Sequence, residues 1–213
     1  MKLPLTLVVA AWVLAGCASE PNVYYTLTKQ GPVTASASQM SPNALSPDAF
    51  APSLYTLTSV VVPPPVDDSM LVVRRSDDVL MKLAHDRWTA PLGQQFSNAL
   101  SVALTRELGM PPLSRAQTAA QDKPPGSVTR MAVDVQQFDL VPGQYAALTA
   151  LWQIMPTQGN EASARTCYTS LSQSVQPGVA PLVKAQQANI SELAQAIAVT
   201  WRTGTPPTTT RCQ

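Results

Sequence analysis

Three cysteines are the residues of this chain best suited to covalent chemistry, with a lipid, with each other or with a metal. Cys17 ends the sequence LAGC, residues 14–17. Cys167 and Cys212 lie far downstream, 45 positions apart. His85 is the single histidine, so the thiols are the first candidates for a chemical role.

The apolar run before Cys17 has the length of a signal peptide and is too short to cross a membrane. It extends over 14 residues from Leu3 to Gly16, whereas a helix that crosses a bilayer needs roughly 20 apolar residues. One cation at Lys2, an apolar centre and small residues at the end are typical of a secretory signal. We therefore expect residues 1–16 to be removed on export.

The small pair Ala15-Gly16 directly before Cys17 resembles the bacterial lipobox. In that motif cleavage after the glycine exposes a cysteine whose sulfur, as the nucleophile, takes a thioether-linked lipid, and whose new amine is then acylated, for example with palmitate. Each acyl methylene contributes about 0.8 kcal/mol in a bilayer, so three chains would anchor the protein permanently. The alternative is a coincidental cysteine after an ordinary signal. The motif predicts cleavage between Gly16 and Cys17, lipid on Cys17, and a polar tether over 17–22.

Cys167 and Cys212 remain as an even pair if Cys17 carries lipid. In an exported, oxidising compartment such a pair favours a disulfide. Two free thiols or a shared metal are the alternatives, although no histidine or aspartate lies close in sequence to either cysteine. A bridge would have a structural role and would attach the non-helical tail, 203–213, to the strand that carries Cys167.

The charge balance argues against electrostatic recognition. Removing Lys2 from the 14 Lys and Arg residues leaves 13, against 13 Asp and Glu. A mature chain with no net charge gives no indication of nucleic-acid binding or of electrostatic binding to anionic lipid. We expect the protein to be held by its lipid and to recognise its partner by shape.

No residue set in the sequence predicts catalysis, a metal site or a cofactor. His85 precedes Asp86, but no Gly-x-Ser-x-Gly turn supplies a nucleophile, and we interpret this histidine as a surface residue before a helix. One histidine and two distant cysteines do not form a zinc cluster. The paired carboxylates 67–68 and 77–78 are typical of turns that cap backbone groups.

Periodicity predicts seven strands and two helices. A helix over 90–108 repeats apolar residues at four-residue spacing, with Thr89 as its N-cap, and a second helix covers about 181–202. Both apolar stripes are expected to face a core rather than a lipid slot. Segment 29–53, rich in Ser, Ala and Pro, is a loop insertion, and 111–127 is a connecting loop. The strand candidates are 24–27, 55–62, 71–74, 79–83, 128–140, 145–155 and 165–175.

The order of these elements predicts an α+β fold. Strands, helix, strands and helix, with hairpin links between strands, favour one domain over 23–202 in which two helices pack on a mostly antiparallel mixed sheet.

An ordered series of short motifs makes the chain resemble the ABC-type transport auxiliary lipoproteins. It covers most of residues 23–202. The motifs are Tyr25-x-Leu27, the Val-x-Val-Pro segment at 60–63, Arg87-Trp88-x-x-Pro91-Leu92 at the start of the long helix, VDVQQFD at 133–139 and LAQAIA at 193–198.

This resemblance implies a non-enzymatic lipoprotein of the Gram-negative outer membrane that faces the periplasm. Such proteins are accessory subunits of intermembrane lipid transport and dock onto MCE-domain proteins that bridge the envelope. Ala18 agrees with outer-membrane sorting, because an aspartate there is an inner-membrane retention signal. The alternative is a structural lipoprotein that stabilises an envelope complex without binding lipid cargo. Self-association is left open.

Four residues are candidates for a partner-facing surface. Tyr24 and Tyr25 are aromatic residues of the first strand, and core packing explains them equally well. Arg74 and Arg87 could contribute to a basic patch with Arg75 and Arg130, whereas scattered surface cations are the simpler interpretation.

Overall fold

The computed structural model describes residues 20–29, 31, 54–114, 128–156 and 164–213. The expected signal peptide, Cys17 and most of the 29–53 insertion lie outside the described residues. The elements in chain order are β1 (Val23–Tyr25), β2 (Leu54–Val61), a 3-10 helix (Pro64–Val66), β3 (Met70–Ser76), β4 (Val79–Trp88), α1 (Leu92–Leu108), β5 (Val128–Val141), β6 (Tyr145–Pro156), β7 (Arg165–Ser174), α2 (Val179–Thr203) and β8 (Thr210–Cys212).

Five strands form the larger sheet, in the order β2-β5-β6-β7-β8. β2 runs parallel to β5, and the other neighbours are antiparallel. Ala146 and Ala150 are buried on one face of β6, where α2 packs. Because these side chains are small, the helix can approach the sheet closely and still leave no void.

Three strands form the smaller sheet, in the order β1-β4-β3. β1 is parallel to β4, and β3 is antiparallel to it. The β3–β4 ladder is irregular, since Val72 lies opposite Lys82 while Met70 lies opposite Arg87. β4 therefore carries extra residues between these two pairs, which bend it as a bulge does.

One core joins both sheets and the first helix. The rings of Trp88 on β4 and Phe96 on α1 each lie 6.4 Å from the ring of Phe138 on β5, edge to face. All three side chains are buried. The predicted α+β class, with two helices and mostly antiparallel strands in a single domain, is confirmed, and the strands are divided between two sheets.

The apolar stripe of α1 faces this core. Leu92, Phe96, Leu100 and Leu104 recur every four residues and are at most 1% exposed, so the stripe is core and not an open lipid slot. The helix ends at Gly109, which adopts a left-handed conformation with φ of 77°; glycine reaches this region without a steric penalty. Truncating Phe96 to alanine would cost about 3 to 5 kcal/mol of stability.

The N-terminus of α1 is capped from a distant loop. The sequence predicts Thr89 as the N-cap, and this prediction is wrong: Pro91 occupies the position and makes no side-chain cap. The backbone N–H of Gly93 instead donates to Oδ1 of Asp67 at 2.9 Å. Asp67 thus stabilises one of the free N–H groups that every helix start leaves.

Two buried amides anchor α2 to the larger sheet. Nε2 of Gln186 donates to the carbonyl oxygens of Asp139 at 3.0 Å and Ala147 at 2.9 Å. Nδ2 of Asn189 donates to the carbonyl of Ala146 at 3.1 Å. Because a buried polar group is costly unless it is bonded, these contacts fix how the helix sits on the sheet.

Some strand boundaries differ from the sequence prediction. The strands predicted over 71–74 and 79–83 extend in the structure to Met70–Ser76 and Val79–Trp88. His85 therefore lies within β4 and not in a segment before the helix. The tail, predicted as non-helical, ends in β8, which pairs with β7.

Candidate functional site

β1 brings the chain that follows the predicted lipid anchor to the edge of the smaller sheet. In parallel register, Val23 lies opposite Asp86, Tyr24 opposite Arg87 and Tyr25 opposite Trp88. Among the described strands, β1 pairs with β4 alone, so its other side is an open sheet edge. Such an edge presents backbone donors and acceptors to a partner.

A buried glutamine holds the residues after β1 against α1. Oε1 of Gln95 accepts hydrogen bonds from the backbone N–H of Leu27 at 3.2 Å and the hydroxyl of Thr26 at 3.1 Å. Nε2 of Gln95 donates to the hydroxyl of Thr89, which follows β4. One amide therefore ties β1, β4 and α1 together.

The second helix also bonds to the same segment. Nε2 of Gln187 donates to the carbonyl oxygen of Thr26 at 2.9 Å, and the Leu27 side chain is 1% exposed in the core. The four residues Thr26, Leu27, Gln95 and Gln187 are called the anchor clamp below. Neither glutamine was identified from the sequence. Gln95 interrupts the apolar stripe of α1, and this interruption could have indicated a buried polar contact.

The open edge carries exposed apolar side chains and a partly exposed arginine. Tyr24 is 60% exposed and Val23 is 46% exposed. Nε of Arg87, beside Tyr24, contacts Oδ1 of Asn22 at 3.4 Å. Because Tyr24 and Arg87 are partners in the ladder, they lie on the same face of the sheet and form one surface, called the β1 edge below.

Tyr25 differs from its neighbour because it is half-buried. Burial raises the pKa of its phenol, and so do the hydrogen bond to Asp86 and the negative charge of that carboxylate. It packs against the core, so of the two tyrosines predicted to face a partner only Tyr24 is largely exposed.

Arg74 lies apart from the β1 edge and has a partner inside the protein. Its Nε and Nη2 reach Oδ1 of Asp139 at 3.0 and 2.9 Å, and Nη1 donates to the carbonyl of Asp77 at 2.9 Å. Asp139 is 5% exposed and also accepts from Gln137. The Asp139 carboxylate raises the pKa of Arg74, and the pair joins β3 to the larger sheet. Arg130 lies on β5, so the structure does not gather the arginines into one patch.

His85 lies at the surface beside an exposed carboxylate. Its Nε2 lies 3.8 Å from Oε2 of Glu20, and both side chains are exposed. Within the described ranges, no group of three or more His, Cys, Asp or Glu residues could hold a metal ion.

Cys167 and Cys212 lie directly opposite each other in the β7–β8 ladder. Their sulfur atoms are joined, 1.95 Å apart, and Cys167 is buried. The bond attaches the C-terminal strand to the edge of the larger sheet, on the side opposite β2.

The predicted cleavage site, Gly16 and Cys17, lies outside the described residues. Among the helices that the structure describes, none is long and apolar enough to span a membrane.

Comparison with known proteins gives a family match over most of the chain. The family model described as "ABC-type transport auxiliary lipoprotein component" matches residues 25–198. No curated protein matches the chain.

Solved structures with a similar fold share little sequence. An uncharacterized protein has a TM-score of 0.59 at 18% identity, covering 84% of this chain and 97% of its own. A Xanthomonas campestris protein from a family of unknown function has a TM-score of 0.49 at 14% identity, and the match covers 71% of this chain and 85% of that protein. A Caulobacter crescentus protein described as a candidate lipoprotein has a TM-score of 0.34 at 14% identity, and the match covers 52% of this chain and 83% of that protein. The first match shows a shared fold. The other two have TM-scores below 0.5, so nothing is inferred from them.

Proposed function

The chain belongs to the ABC-type transport auxiliary lipoprotein component family, and on this premise we propose a periplasm-facing outer-membrane lipoprotein that docks onto an envelope-spanning MCE-domain protein. In this role it is an accessory subunit of an intermembrane lipid transport system. The family is one of transport auxiliaries and not of enzymes. The observation that carries the proposal is the β1 edge, which stands between the predicted lipid anchor and the anchor clamp.

The anchor clamp supports the proposal because it makes the position of the domain depend on the lipid. Cys17 precedes Glu20 by three residues, a span of at most about 11 Å. From Glu20 the chain enters β1 and is then bonded to both helices through Gln95 and Gln187. A lipid on Cys17 would therefore hold the folded domain close to the membrane, without a long flexible linker between them.

The β1 edge supports docking because it combines an open backbone ladder with exposed side chains. A strand from a partner can add to such an edge, where main-chain hydrogen bonds give affinity and alternate side chains give specificity. Tyr24 offers a large amphipathic ring, and aromatic residues and arginine are enriched where interfaces gain most of their energy. Arg87 lies directly beside it in the ladder.

Co-purification from membranes tests this proposal. The mature lipoprotein, extracted in mild detergent, is expected to bring down an MCE-domain protein. A Tyr24→Ala, Arg87→Ala double variant is expected to lose at least tenfold of that partner. Tyr168→Ala is the matched control, since Tyr168 is 45% exposed but lies on β7 of the larger sheet. An unchanged yield in the double variant would exclude the β1 edge, and a wild-type preparation without any MCE-domain protein would exclude the partnership.

A second candidate, an assembly lipoprotein that never contacts lipid cargo, is favoured by the burial of the helix stripes. Phe96, Leu100 and Leu104 are fully buried, and Leu193 and Ile197 on α2 are at most 1% exposed, so neither stripe is open to a lipid. Native mass spectrometry of the Cys17→Ser protein distinguishes the two roles. A carrier should retain phospholipid, whereas an assembly factor should appear at the mass of the chain alone.

A further inference from the structure

The tip of the β3–β4 hairpin exposes apolar side chains on both of its faces. Val79 is 46% exposed and Leu80 is 37% exposed. Successive residues of a strand point to opposite faces. A sheet that packs on a core on one side and meets water on the other is apolar on one face only. The tip, residues 75–80, therefore fits neither a core face nor an ordinary solvent face.

This tip is held rigidly and is not a loose loop. Leu80 lies opposite Arg74 in the ladder, and Arg74 is bonded to the buried Asp139 on β5. The turn is closed by the contact from Nη1 of Arg74 to the carbonyl of Asp77 and by the hydroxyl of Ser76, which donates to Asp78 at 2.8 Å. Val79 and Leu80 are thus held in place, because Arg74 on β3 is bonded to Asp139 on the larger sheet.

The described chain before β1 points toward the same end of the smaller sheet as the tip. Since β1 is parallel to β4, the N-terminal end of β1 points toward the start of β4, which is the hairpin turn. Three residues before Val23, Oε2 of Glu20 still lies 3.8 Å from Nε2 of His85 on β4.

Chain length would allow the anchor to reach as far from the β1–β4 ladder as the tip does. Cys17 precedes Val23 by six residues, and Val79 precedes Asp86, the ladder partner of Val23, by seven. At about 3.3 Å per residue, the strand from Asp86 back to Val79 covers roughly 20 Å, and an extended chain from Val23 back to Cys17 could reach equally far. A lipid on Cys17 can therefore enter a membrane that lies against the hairpin tip.

We propose that the β3–β4 tip rests on the phospholipid surface into which the acyl chains of Cys17 insert, with Val79 and Leu80 at the boundary between headgroups and acyl chains. This inference rests on the lipid anchor of the proposed function. The exposed charges at the tip, Arg75, Asp77 and Asp78, include both signs. They therefore suit a zwitterionic headgroup, whose phosphate faces arginine and whose ammonium faces the carboxylates.

Photo-crosslinking in a membrane tests the contact. The acylated full-length mature protein is placed in nanodiscs of phosphatidylethanolamine and phosphatidylglycerol, with benzoylphenylalanine at Leu80 in one variant and at Tyr168 in the other. Both positions are partly exposed apolar sites on strands, so the substitution should be tolerated equally. We expect phospholipid adducts at position 80 to exceed those at position 168 at least fivefold. Equal or weaker adducts at position 80 would overturn the proposal.

Two further measurements separate this inference from the function on which it rests. The mass of the N-terminal peptide reports whether Cys17 carries lipid: an unmodified cysteine refutes the anchor, whereas an acylated protein without adducts at position 80 refutes only the tip contact. A Val79→Asp, Leu80→Asp double variant should lower lipid protection of the tip in hydrogen exchange by several-fold. It should still co-purify the MCE-domain partner, because the β1 edge is unchanged. Unaltered exchange at the tip would contradict membrane contact.

Discussion

The backbone N–H of Leu27 donates to Oε1 of Gln95 at 3.2 Å, in the interior of the protein. The bond joins residues 68 positions apart and fixes the first segment of the domain to α1. Leu27 follows β1 by two residues, so a pull on the N-terminal tether is transmitted directly to a core helix.

Gln95→Leu should destabilise the protein by about 1 to 3 kcal/mol, because it leaves the buried N–H of Leu27 without its acceptor. The measurement is urea unfolding followed by circular dichroism. Gln94→Leu is the matched control, since Gln94 is exposed on the same helix, and it should change stability by no more than about 0.5 kcal/mol. Equal losses in the two variants would argue that the anchor clamp contributes nothing specific.

Cys17→Ser should release the protein from membranes, because a hydroxyl cannot form the thioether on which the acyl chains depend. The check is fractionation of cells, in which the wild type should sediment with outer membranes and the variant should not. A Cys167→Ser, Cys212→Ser protein controls for the loss of thiols in general and should remain with the membranes. If the Cys17→Ser protein also stayed there, lipid on this cysteine would not be the anchor.

Removing the Cys167–Cys212 bond should lower the free energy of unfolding by about 3 to 4 kcal/mol, because the unfolded chain regains the freedom of an open loop. The bond closes a separation of 45 residues. The double serine variant is compared with the wild type by urea unfolding, with and without a reductant. Reductant should destabilise the wild type to the level of the variant and leave the variant unchanged. A wild type insensitive to reductant would contradict a stabilising role for the bond.

Tyr55 should make the protein sensitive to alkali. Burial raises the pKa of its phenol to about 12, while its hydroxyl donates to the carbonyl of Met110 at 3.2 Å and its ring meets Trp201 edge to face. Because the folded pKa lies above the unfolded value of about 10, the stability from neutral Tyr55 is complete below pH 10. It is lost as the pH rises toward 12.

Unfolding measured between about pH 9 and 12 tests this expectation. Tyr55→Phe should flatten the alkaline loss of stability, at a cost of about 1 kcal/mol near neutral pH for the lost hydrogen bond. Tyr168→Phe is the matched control, because it removes the same hydroxyl from a tyrosine that is 45% exposed. An identical pH dependence in all three proteins would show that another group governs alkaline unfolding.

Local periodicity accounts for what could be predicted of the fold. The helices predicted over 90–108 and 181–202 are observed as Leu92–Leu108 and Val179–Thr203, because a stripe repeating at helical spacing is a property of neighbouring residues. The end of β4 was missed because LAHDRW has no alternation: its partners are β1 on one side and an irregular β3 on the other. The cap of α1 was misassigned because the carboxylate of Asp67 comes from a separate loop.

The sequence by itself determined the family resemblance, the α+β class and the expectation of a lipid on Cys17, since these depend on the order and spacing of nearby residues. The tertiary structure alone decided which strands are neighbours. It paired β1 with β4 in parallel, placed Tyr24 beside Arg87, and moved Arg74 away from both and onto the buried Asp139. The physical reason is that such pairings bring together distant segments of the chain, and their stability comes from a shared core, which the sequence around one residue does not specify.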